Sequence, residues 1–329
     1  MDRSSLTLDI DIKREVDPVI EIKKEVEKLA DEAEKIIIGK RHEIKLFAAA
    51  LISKGHILID DVPGTGKTTL VKTAASALGC RFSRIQFVSD SMPGDVIGMN
   101  VYNQKTGDFE VRKGPVFTNL LLADEINRAM PRTQSALLEA MEEKQVTIDG
   151  TTFGLPEPFM VIATENPVEY ESTFNLPVAQ LDRFFMKITL GYPDEKSEIR
   201  MLETSGDMPD TDRIEKITDA EGLKEIQRAV EDIYVSDEVR NYIVKIIRKT
   251  RMNDTLLMGA SPRATKHLYR ASKAWAAING RDFVTPDDVC EMAVPVLEHR
   301  LIANSRMHLD HEDKKAVIES ILDGTEVEK

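Results

Sequence analysis

Five short runs of apolar residues alternate with longer amphipathic segments along the first two thirds of the chain. The runs are almost continuously apolar, which is typical of strands that are buried on both faces of a parallel sheet. Helical patterns separate them, and this alternation predicts an α/β fold with a parallel sheet. The predicted strands cover residues 57–59, 85–88, 120–123, 160–163 and 185–189.

The chain ahead of the first strand shows a weak alternation followed by two helical patterns. Residues 1–17 carry many charges, and we interpret them as an arm or an edge strand. Apolar residues then recur at helical spacing over residues 18–37 and 43–53, with Gly39 between the two segments. This spacing predicts two helices before the sheet begins.

Two short excursions interrupt the alternation of strands and helices. Residues 100–112 contain a Thr106-Gly107-Asp108 turn between strand-like flanks. Residues 145–155 contain Asp149-Gly150 between two alternating runs, and Asp-Gly favours the tight turn of a two-residue hairpin. We therefore predict a β-hairpin at the second position and a turn between two strands at the first.

The last third of the chain is mostly helical in pattern. It follows residues 202–222, which are rich in Asp, Gly, Ser, Thr and Pro and which we interpret as a linker. Pro262, Pro286 and Pro295 are predicted to mark helix starts. The predicted domains are an arm and helix at 1–36, an α/β nucleotide-binding domain at 37–200, a linker at 201–222 and a small all-helical lid at 223–329.

The composition argues against several classes of protein. The chain has 44 basic and 57 acidic residues and a net charge of −13, which disfavours a nucleic-acid-binding surface. Its two cysteines, Cys80 and Cys290, form neither a disulfide framework nor a zinc spacing. No apolar run approaches the roughly 20 residues of a membrane span, and the N-terminus lacks a signal-peptide core. We expect a cytoplasmic protein without a membrane span or a nucleic-acid partner.

The segment at residues 57–70 has the layout of a phosphate-binding loop. An apolar strand enters a Pro/Gly turn, and a helical segment follows. In such a loop backbone N–H groups cradle phosphate oxygens, a lysine reaches the outer phosphates and a threonine hydroxyl holds Mg²⁺. The pattern G-x-x-x-x-G-K-[ST] begins with Gly, whereas this chain has Asp61. The predicted binding residues are Pro63, Gly64, Thr65, Gly66, Lys67, Thr68 and Thr69, with Thr68 as a ligand of Mg²⁺.

Two acidic residues end the third predicted strand, at the edge where ligands bind in such sheets. Asp124 would hold Mg²⁺ through a water molecule, and Glu125 would orient and deprotonate the attacking water. The alternative is a pair of solvated acids at a helix start. Lys67 and Thr68 upstream favour the functional interpretation.

Three polar residues later in the chain are further candidates. Asn166 follows the next strand and could hydrogen-bond the water or the γ-phosphate, although an ordinary turn is the alternative. For Arg183 the simpler interpretation is a salt bridge with Asp182. Arg263 opens a helix behind Ser261, where a positive charge is unfavourable. A nearby phosphate would explain that position, and a surface arginine is the alternative.

The chain resembles the MoxR-type AAA+ ATPases over about residues 36–300. The N-terminal helix and residues 91–95 depart from the family pattern. The resemblance rests on DVPGTGKTTL at 61–70, RIQFVSD at 84–90, GPVFTNLLLADEINRAMPRTQSALLEAMEEKQVTIDG at 114–150, FMVIATENPVE at 159–169, AQLDRFFM at 179–186, GASPRA at 259–264 and GRDFVTPDDV at 280–289.

The resemblance implies a role for each matching residue. Asn166 matches the first sensor, and Arg183 matches the arginine finger, which reaches the nucleotide of a neighbouring subunit. Arg263 matches the second sensor, which links the lid to the nucleotide, and we expect it to act within its own chain. Ile38 and Gly39 match the segment beside the adenine.

Two less direct correspondences concern the predicted base. Gln86 is expected to hold Glu125 in an inactive pose, as a polar residue on the neighbouring strand does in some relatives. Arg128 is expected to lie at a subunit interface.

The resemblance also implies that ATP and Mg²⁺ are the cofactors of an ATPase that works as a homo-oligomer, a hexameric ring. Such a ring would remodel, mature or activate protein partners, some with von Willebrand factor A domains. Residues 100–112 and 145–155 would face its channel or a partner. A nucleotide-gated scaffold with little turnover is the alternative, against which Glu125, Asn166 and Arg183 argue. The acidic balance disfavours a DNA motor.

Overall fold

The computed structural model describes residues 18–62, 64–166, 174–203, 214–304 and 311–328. The predicted arm at residues 1–17, the predicted phosphate-loop residue Pro63 and half of the predicted linker lie outside the described residues.

A parallel five-stranded sheet forms the centre of the first part of the chain. Its strands are β1 (Ile57–Asp60), β2 (Phe82–Gln86), β5 (Leu120–Asp124), β8 (Met160–Glu165) and β9 (Met186–Ile188). They lie in the order β2-β5-β8-β1-β9, and every neighbouring pair is parallel. The α/β fold with a parallel sheet is therefore confirmed. The carboxyl ends of all five strands lie on the same side of the sheet, which we call the carboxyl edge. The amino ends lie on the opposite side, which we call the amino edge.

Alternating residues of the central strands build two separate cores. In β1, Ile57 and Ile59 face one core, whereas Leu58 faces the other. Neighbouring strands repeat this alternation, so the sheet is buried on both faces and its strands are continuously apolar. The first core is shared with α1 (Pro18–Glu34), α2 (Arg41–Ile52) and α3 (Lys67–Ala77), and the second with α4 (Pro93–Ile97) and α5 (Pro131–Glu143).

Both excursions form antiparallel strand pairs. β3 (Gly98–Asn103) pairs with β4 (Asp108–Lys113), and β6 (Gln145–Ile148) pairs with β7 (Thr151–Gly154). The second turn consists of Asp149 and Gly150, whose φ angles of +46° and +84° match the turn that Asp-Gly favours. Both predictions are confirmed.

The last part of the chain is helical, as predicted. Along the chain, α6 (Val178–Leu181) lies between β8 and β9, and α7 (Glu195–Glu203) follows β9. The helical part comprises α8 (Ala220–Glu231), α9 (Asp237–Met252), α10 (Pro262–Ile278), α11 (Pro286–Leu297) and α12 (His311–Asp323). A small antiparallel pair, β10 (Leu256–Met258) with β11 (Ile302–Ala303), was not predicted, because segments this short carry no periodic signal.

Two expectations about element starts are wrong. Pro295 lies inside α11 instead of starting a helix. It falls in the last turn, where only one backbone hydrogen bond is lost, and Val296 and Leu297 beyond it are fully buried. Strand β2 begins at Phe82 rather than at residue 85, because pairing with β5 sets its register from Phe82 opposite Leu120.

Three histidines with lowered pKa values, of which His56 and His299 are buried, make the fold sensitive to acid. The ring of His56 accepts a hydrogen bond from the Val161 N–H at 2.9 Å and donates to the Met141 carbonyl at 3.1 Å, and burial lowers its pKa to about 4. Burial also lowers the pKa of His267 to about 2 and that of His299 well below its usual value. All three are therefore neutral in the folded protein.

We expect the free energy of unfolding to fall as the pH drops from about 6.5 toward 4. Between these pH values the histidines bind protons in the unfolded chain but not in the folded chain, so acid favours unfolding. His56 alone should lower the free energy of unfolding by about 3 kcal/mol. Thermal unfolding at pH 8, 6 and 5 measures the effect. His56→Gln should show a smaller loss between pH 8 and 5 than the wild type, and an equal loss would contradict this assignment.

Candidate active site

The loop between β1 and α3 has the backbone geometry of an anion cradle. Gly64 and Gly66 adopt φ angles of +89° and +88°, which residues with a Cβ atom rarely adopt. Gly66 is the N-cap of α3 and makes no side-chain capping bond, so the first N–H groups of this helix have no side-chain cap. Uncapped N–H groups at a helix N-terminus form a site for phosphate oxygens.

Lys67 points its ammonium group back into this loop. Its Nζ donates to the carbonyl oxygens of Asp61 at 2.7 Å and Val62 at 3.0 Å. Burial lowers the pKa of Lys67, although the nearby carboxylates of Asp61 and Asp124 oppose that shift. A phosphate group at this position would add negative charge beside the half-buried ammonium group of Lys67.

Asp61, the departure from the phosphate-loop pattern, anchors the loop. Its side chain is buried. One carboxylate oxygen accepts the Val62 N–H and the other accepts the Gly191 N–H, each at 2.8 Å. Gly191 follows β9, so Asp61 joins the start of the loop to the chain beyond the edge strand. A glycine could not make this connection.

Thr164 joins the two predicted acidic residues. Its hydroxyl donates to Oδ1 of Asp124 at 3.2 Å and accepts the backbone N–H of Glu125 at 2.9 Å. Glu125 has a φ of +55°, an uncommon value for a residue with a side chain. The hydrogen bond from Thr164 thus supports a strained backbone at the predicted base. The sequence signal for Thr164 is a lone hydroxyl in an otherwise apolar buried strand.

Each acid also has an arginine partner. Arg84 Nε lies 2.6 Å from Oδ2 of Asp124, and Arg128 Nε lies 3.0 Å from Oε2 of Glu125. Gln86 instead accepts a hydrogen bond from Arg84 at 3.1 Å. The expectation that Gln86 holds Glu125 is wrong for this structure, since the side chain beside the Glu125 carboxylate is that of Arg128.

The remaining predicted residues at the carboxyl edge come from neighbouring elements. Asn166 directly follows β8, which lies between β1 and β5, and its side chain is largely buried. Thr68 and Thr69 lie in the first turn of α3, and Thr65 donates to the Val62 carbonyl at 3.3 Å. The Thr68 hydroxyl and the Asp124 carboxylate are hard oxygen donors of the kind that Mg²⁺ prefers, so these residues fit the metal.

The predicted adenine segment lies between the loop and α7. Ile38 is buried, and Ile37 comes within 4.0 Å of the position that a Cβ on Gly66 would take. Gly39 packs so closely on α7 that a Cβ there would lie 2.1 Å from the hydroxyl of Ser197.

A buried ionic cluster lies beside the phosphate loop. Lys187 Nζ is 2.7 Å from Asp60 and 3.1 Å from Glu298, which belongs to the helical part. Glu165 is adjacent to Asp60 in the sheet register. Burial, reinforced by the charge of Asp60, raises the pKa of Glu165 to about 7. The cluster connects the end of β1 to the helical part of the chain.

The two predicted arginines do not lie at the carboxyl edge. Arg183 Nη2 is 3.2 Å from Glu142, and Arg263 Nη2 is 2.6 Å from the other oxygen of the same carboxylate. Glu142 is in the last turn of α5, next to Met141, whose carbonyl binds His56 just ahead of β1. Both arginines therefore lie at the amino edge, on the far side of the sheet from the phosphate loop.

This placement corrects two expectations. Arg263 was expected to serve the nucleotide of its own chain, but it lies beside Arg183 at the opposite edge. The local salt bridge between Asp182 and Arg183 is also replaced. Asp182 accepts hydrogen bonds from Arg300 Nε at 2.9 Å and from the Ser261 hydroxyl at 2.8 Å.

Replacing Thr164 with valine should lower turnover at this site by about tenfold to a hundredfold, with nucleotide affinity nearly unchanged. Valine keeps the shape of threonine but leaves the Glu125 N–H without its acceptor, and small misplacements of a reacting group are costly. Steady-state kinetics with a separate binding titration measures both quantities. Thr164→Ser, which keeps the hydroxyl, is the matched control, and equal losses in both variants would contradict the assigned role.

Comparisons with known proteins agree with this architecture. Residues 56–186 match the family model described as the ATPase family associated with various cellular activities (AAA). Residues 248–321 match the model of the AAA lid domain. The first match covers the parallel sheet from the residue before β1 to the start of β9, and the second covers most of the helical part.

Relatives match over nearly the whole chain. Chaperone MoxR1 of Mycobacterium tuberculosis is 40% identical over 306 residues, which cover 90% of this chain and 81% of that protein. Protein MoxR of Methylorubrum extorquens is 30% identical, over 82% of this chain and 85% of its own length. The crystal structure of a proposed ATPase from Cytophaga hutchinsonii has a TM-score of 0.87 and 39% identity, and it covers 95% of this chain and 97% of that one.

Within the described ranges, none of the helices combines the length and the apolar character that crossing a bilayer would require.

Proposed function

Because the chain belongs to the MoxR-type AAA+ ATPases, we propose that it hydrolyses ATP with Mg²⁺ and uses that reaction to remodel, mature or activate a protein partner. The observation that carries the proposal is the carboxyl edge of the sheet. There the phosphate loop, a carboxylate suited to a metal and a second carboxylate suited to a base converge from adjacent elements.

Each residue at this edge has a distinct task. The N–H groups of the loop and Lys67 would bind the phosphates, and Thr68 and Asp124 would hold the metal. Bound Mg²⁺ neutralises charge that develops on the phosphates. Glu125 takes a proton from the attacking water, and Asn166 orients that water or the γ-phosphate. Ile38 and Gly39 lie beside the adenine ring of the nucleotide.

The arginines support a reaction that depends on assembly. Arg183 and Arg263 lie at the amino edge, so they cannot reach the phosphate loop of their own chain. In a head-to-tail contact, this edge of one chain would meet the carboxyl edge of the next. A heterologous contact of this kind forms a ring when its rotation closes, and we propose a hexamer in the cytoplasm whose protein partner carries a von Willebrand factor A domain.

A nucleotide-gated scaffold with little turnover is the second candidate. The pairing of Glu125 with Arg128 favours it, because an oxygen that lies against the guanidinium group is not turned toward an attacking water. In the ATPase interpretation, assembly or a partner has to release Glu125 from Arg128.

The proposal is tested by measuring ATP hydrolysis per chain against protein concentration, with Mg²⁺ present. We expect a specific rate that rises with concentration, because the arginines come from a second chain. Lys67→Ala should abolish ATP binding and hydrolysis, since it removes the ammonium group that faces the outer phosphates. Lys72→Ala, a lysine further along the same helix, is the control. Unchanged ATP affinity in Lys67→Ala would sink the phosphate-loop assignment.

Tight ATP binding with a flat and negligible rate at every concentration would favour the gated scaffold instead.

A further inference from the structure

One carboxylate at the amino edge holds both predicted arginines. Each oxygen of Glu142 binds one guanidinium group, Arg183 at 3.2 Å and Arg263 at 2.6 Å. The three side chains are 40%, 33% and 37% exposed, respectively, so they lie at the surface and remain open to a neighbouring molecule. They form a group with a net charge of +1.

The two arginines come from different parts of the chain. Arg183 precedes the edge strand β9, whereas Arg263 is in the first turn of α10 in the helical part. Without a shared anion, two guanidinium groups this close would repel each other. Glu142 therefore determines whether they stay together.

The backbone segments that carry the two arginines are held in place by contacts of Asp182. Asp182, next to Arg183, accepts the Ser261 hydroxyl at 2.8 and 2.9 Å, and Ser261 is the N-cap of the helix that carries Arg263. Asp182 also pairs with Arg300, which is almost fully buried and donates to the Phe184 carbonyl. The chain positions are thus held rigidly, and only the ends of the two arginine side chains depend on Glu142.

The ion pairs of Glu142 with the two arginines are weak enough for a phosphate group to take the place of the carboxylate. Ion pairs at exposed positions contribute only about 0–1 kcal/mol, because water screens them. A phosphate group carries more charge than a carboxylate and accepts hydrogen bonds from several guanidinium N–H groups at once. Two arginines held side by side match such a group.

We propose that Glu142 is a positioning residue that keeps Arg183 and Arg263 together so that both can engage the γ-phosphate of the ATP bound to the neighbouring chain. This inference rests on the proposed function, since it requires a ring or a dimer in which the amino edge of one chain meets the phosphate loop of the next. Glu142 itself does not touch the nucleotide.

The first experiment compares Glu142→Ala with Glu139→Ala. Glu139 lies one turn earlier on α5, and together with Glu142 and Arg183 it lines a surface cavity. Glu142→Ala should lower kcat by about tenfold, because two unpaired guanidinium groups spread apart and lose their orientation. ATP affinity of the dilute, unassembled chain should not change, since its phosphate loop lies at the other edge. Glu142→Asp should recover part of kcat, and Glu139→Ala should behave as the wild type.

The second experiment does not need turnover. ATP-dependent association, measured by sedimentation, should be several-fold weaker for Glu142→Ala than for Glu139→Ala, because the interface loses two oriented charge contacts to the phosphate.

The third experiment identifies the face of the chain on which Glu142 acts. In a mixture with excess Glu125→Gln chains, the intact phosphate loop of a Glu142→Ala chain meets an intact arginine pair, so activity per Glu142→Ala chain should rise toward the wild-type value. With excess Arg183→Ala chains it should not rise, because both lesions lie on the same face. A chain that is merely unstable would be rescued by neither partner.

The outcomes separate this inference from the function on which it rests. Wild-type activity and association in Glu142→Ala, with an active wild type, would overturn the role of Glu142 alone. Rescue by Arg183→Ala chains would also overturn it. A wild-type chain that neither associates with ATP nor hydrolyses it would overturn the proposed function, and the role of Glu142 with it.

Discussion

Replacing Arg183 with alanine is expected to lower ATP turnover by roughly 10³–10⁵-fold, the range measured for arginine fingers supplied by a second molecule. Among the residues that the structure describes, the ion-pair partner of this side chain is the surface-exposed Glu142, so its loss should cost the fold little. ATP binding to the dilute chain should persist, because the phosphate loop lies at the opposite edge of the sheet. Turnover of the assembled protein and ATP affinity of the dilute chain are the two measurements.

The matched controls are Arg183→Lys and mixing with Glu125→Gln. Lysine keeps the charge but not the planar fork of the guanidinium group, so only a small part of the rate should return. Mixing with Glu125→Gln chains should restore activity, since the two lesions lie on opposite edges. An Arg183→Ala chain that turns over ATP at the wild-type rate would remove Arg183 from the mechanism.

Replacing Glu125 with glutamine should abolish turnover, with a loss of about 10²–10⁴-fold, while ATP binding is retained. Glutamine has the shape of glutamate and can still lie beside Arg128, but it cannot take a proton from water. ATP should therefore remain bound, and assemblies that need bound ATP should persist.

The measurement is the release of phosphate beside the stoichiometry of retained ATP. Glu143→Gln, an exposed glutamate at the end of α5, serves as the control. Normal turnover in Glu125→Gln would exclude this residue as the base and would direct attention to Asp124.

Local sequence patterns were sufficient to predict the glycine-containing turn between β1 and α3 and the position of Asp124 at the end of β5. The loop is a continuous segment whose glycines, lysine and threonine are all within seven residues, and Asp124 follows directly from a buried strand. For such features, spacing along the chain determines spacing in the fold. The Asp149-Gly150 hairpin was predictable for the same reason, since two residues determine the turn.

Contacts between distant segments could not be predicted in this way. Glu142, Arg183 and Arg263 are far apart in sequence and meet only because α10 packs beside the start of β9. Asp182 is the partner of Arg183 that adjacency along the chain suggests, but buried Arg300 lies next to Asp182 and makes the stronger pair with it. Thr164 was missed because its hydroxyl makes its hydrogen bonds to the neighbouring strand, and the sequence does not show which strands are neighbours. The domain boundaries remain predictions.

The connections of the edge strand β9 affect how movement can spread through an assembly. The helical part is joined to Lys187 within the strand through Glu298, and to Asp182 ahead of it through buried Arg300. Breaking a buried ion pair by removing one partner costs about 3–5 kcal/mol, so the two parts of one chain should travel as a single rigid body. The hinges of such an assembly then lie between chains, and a change at one nucleotide reaches the next subunit as a rotation of whole protomers.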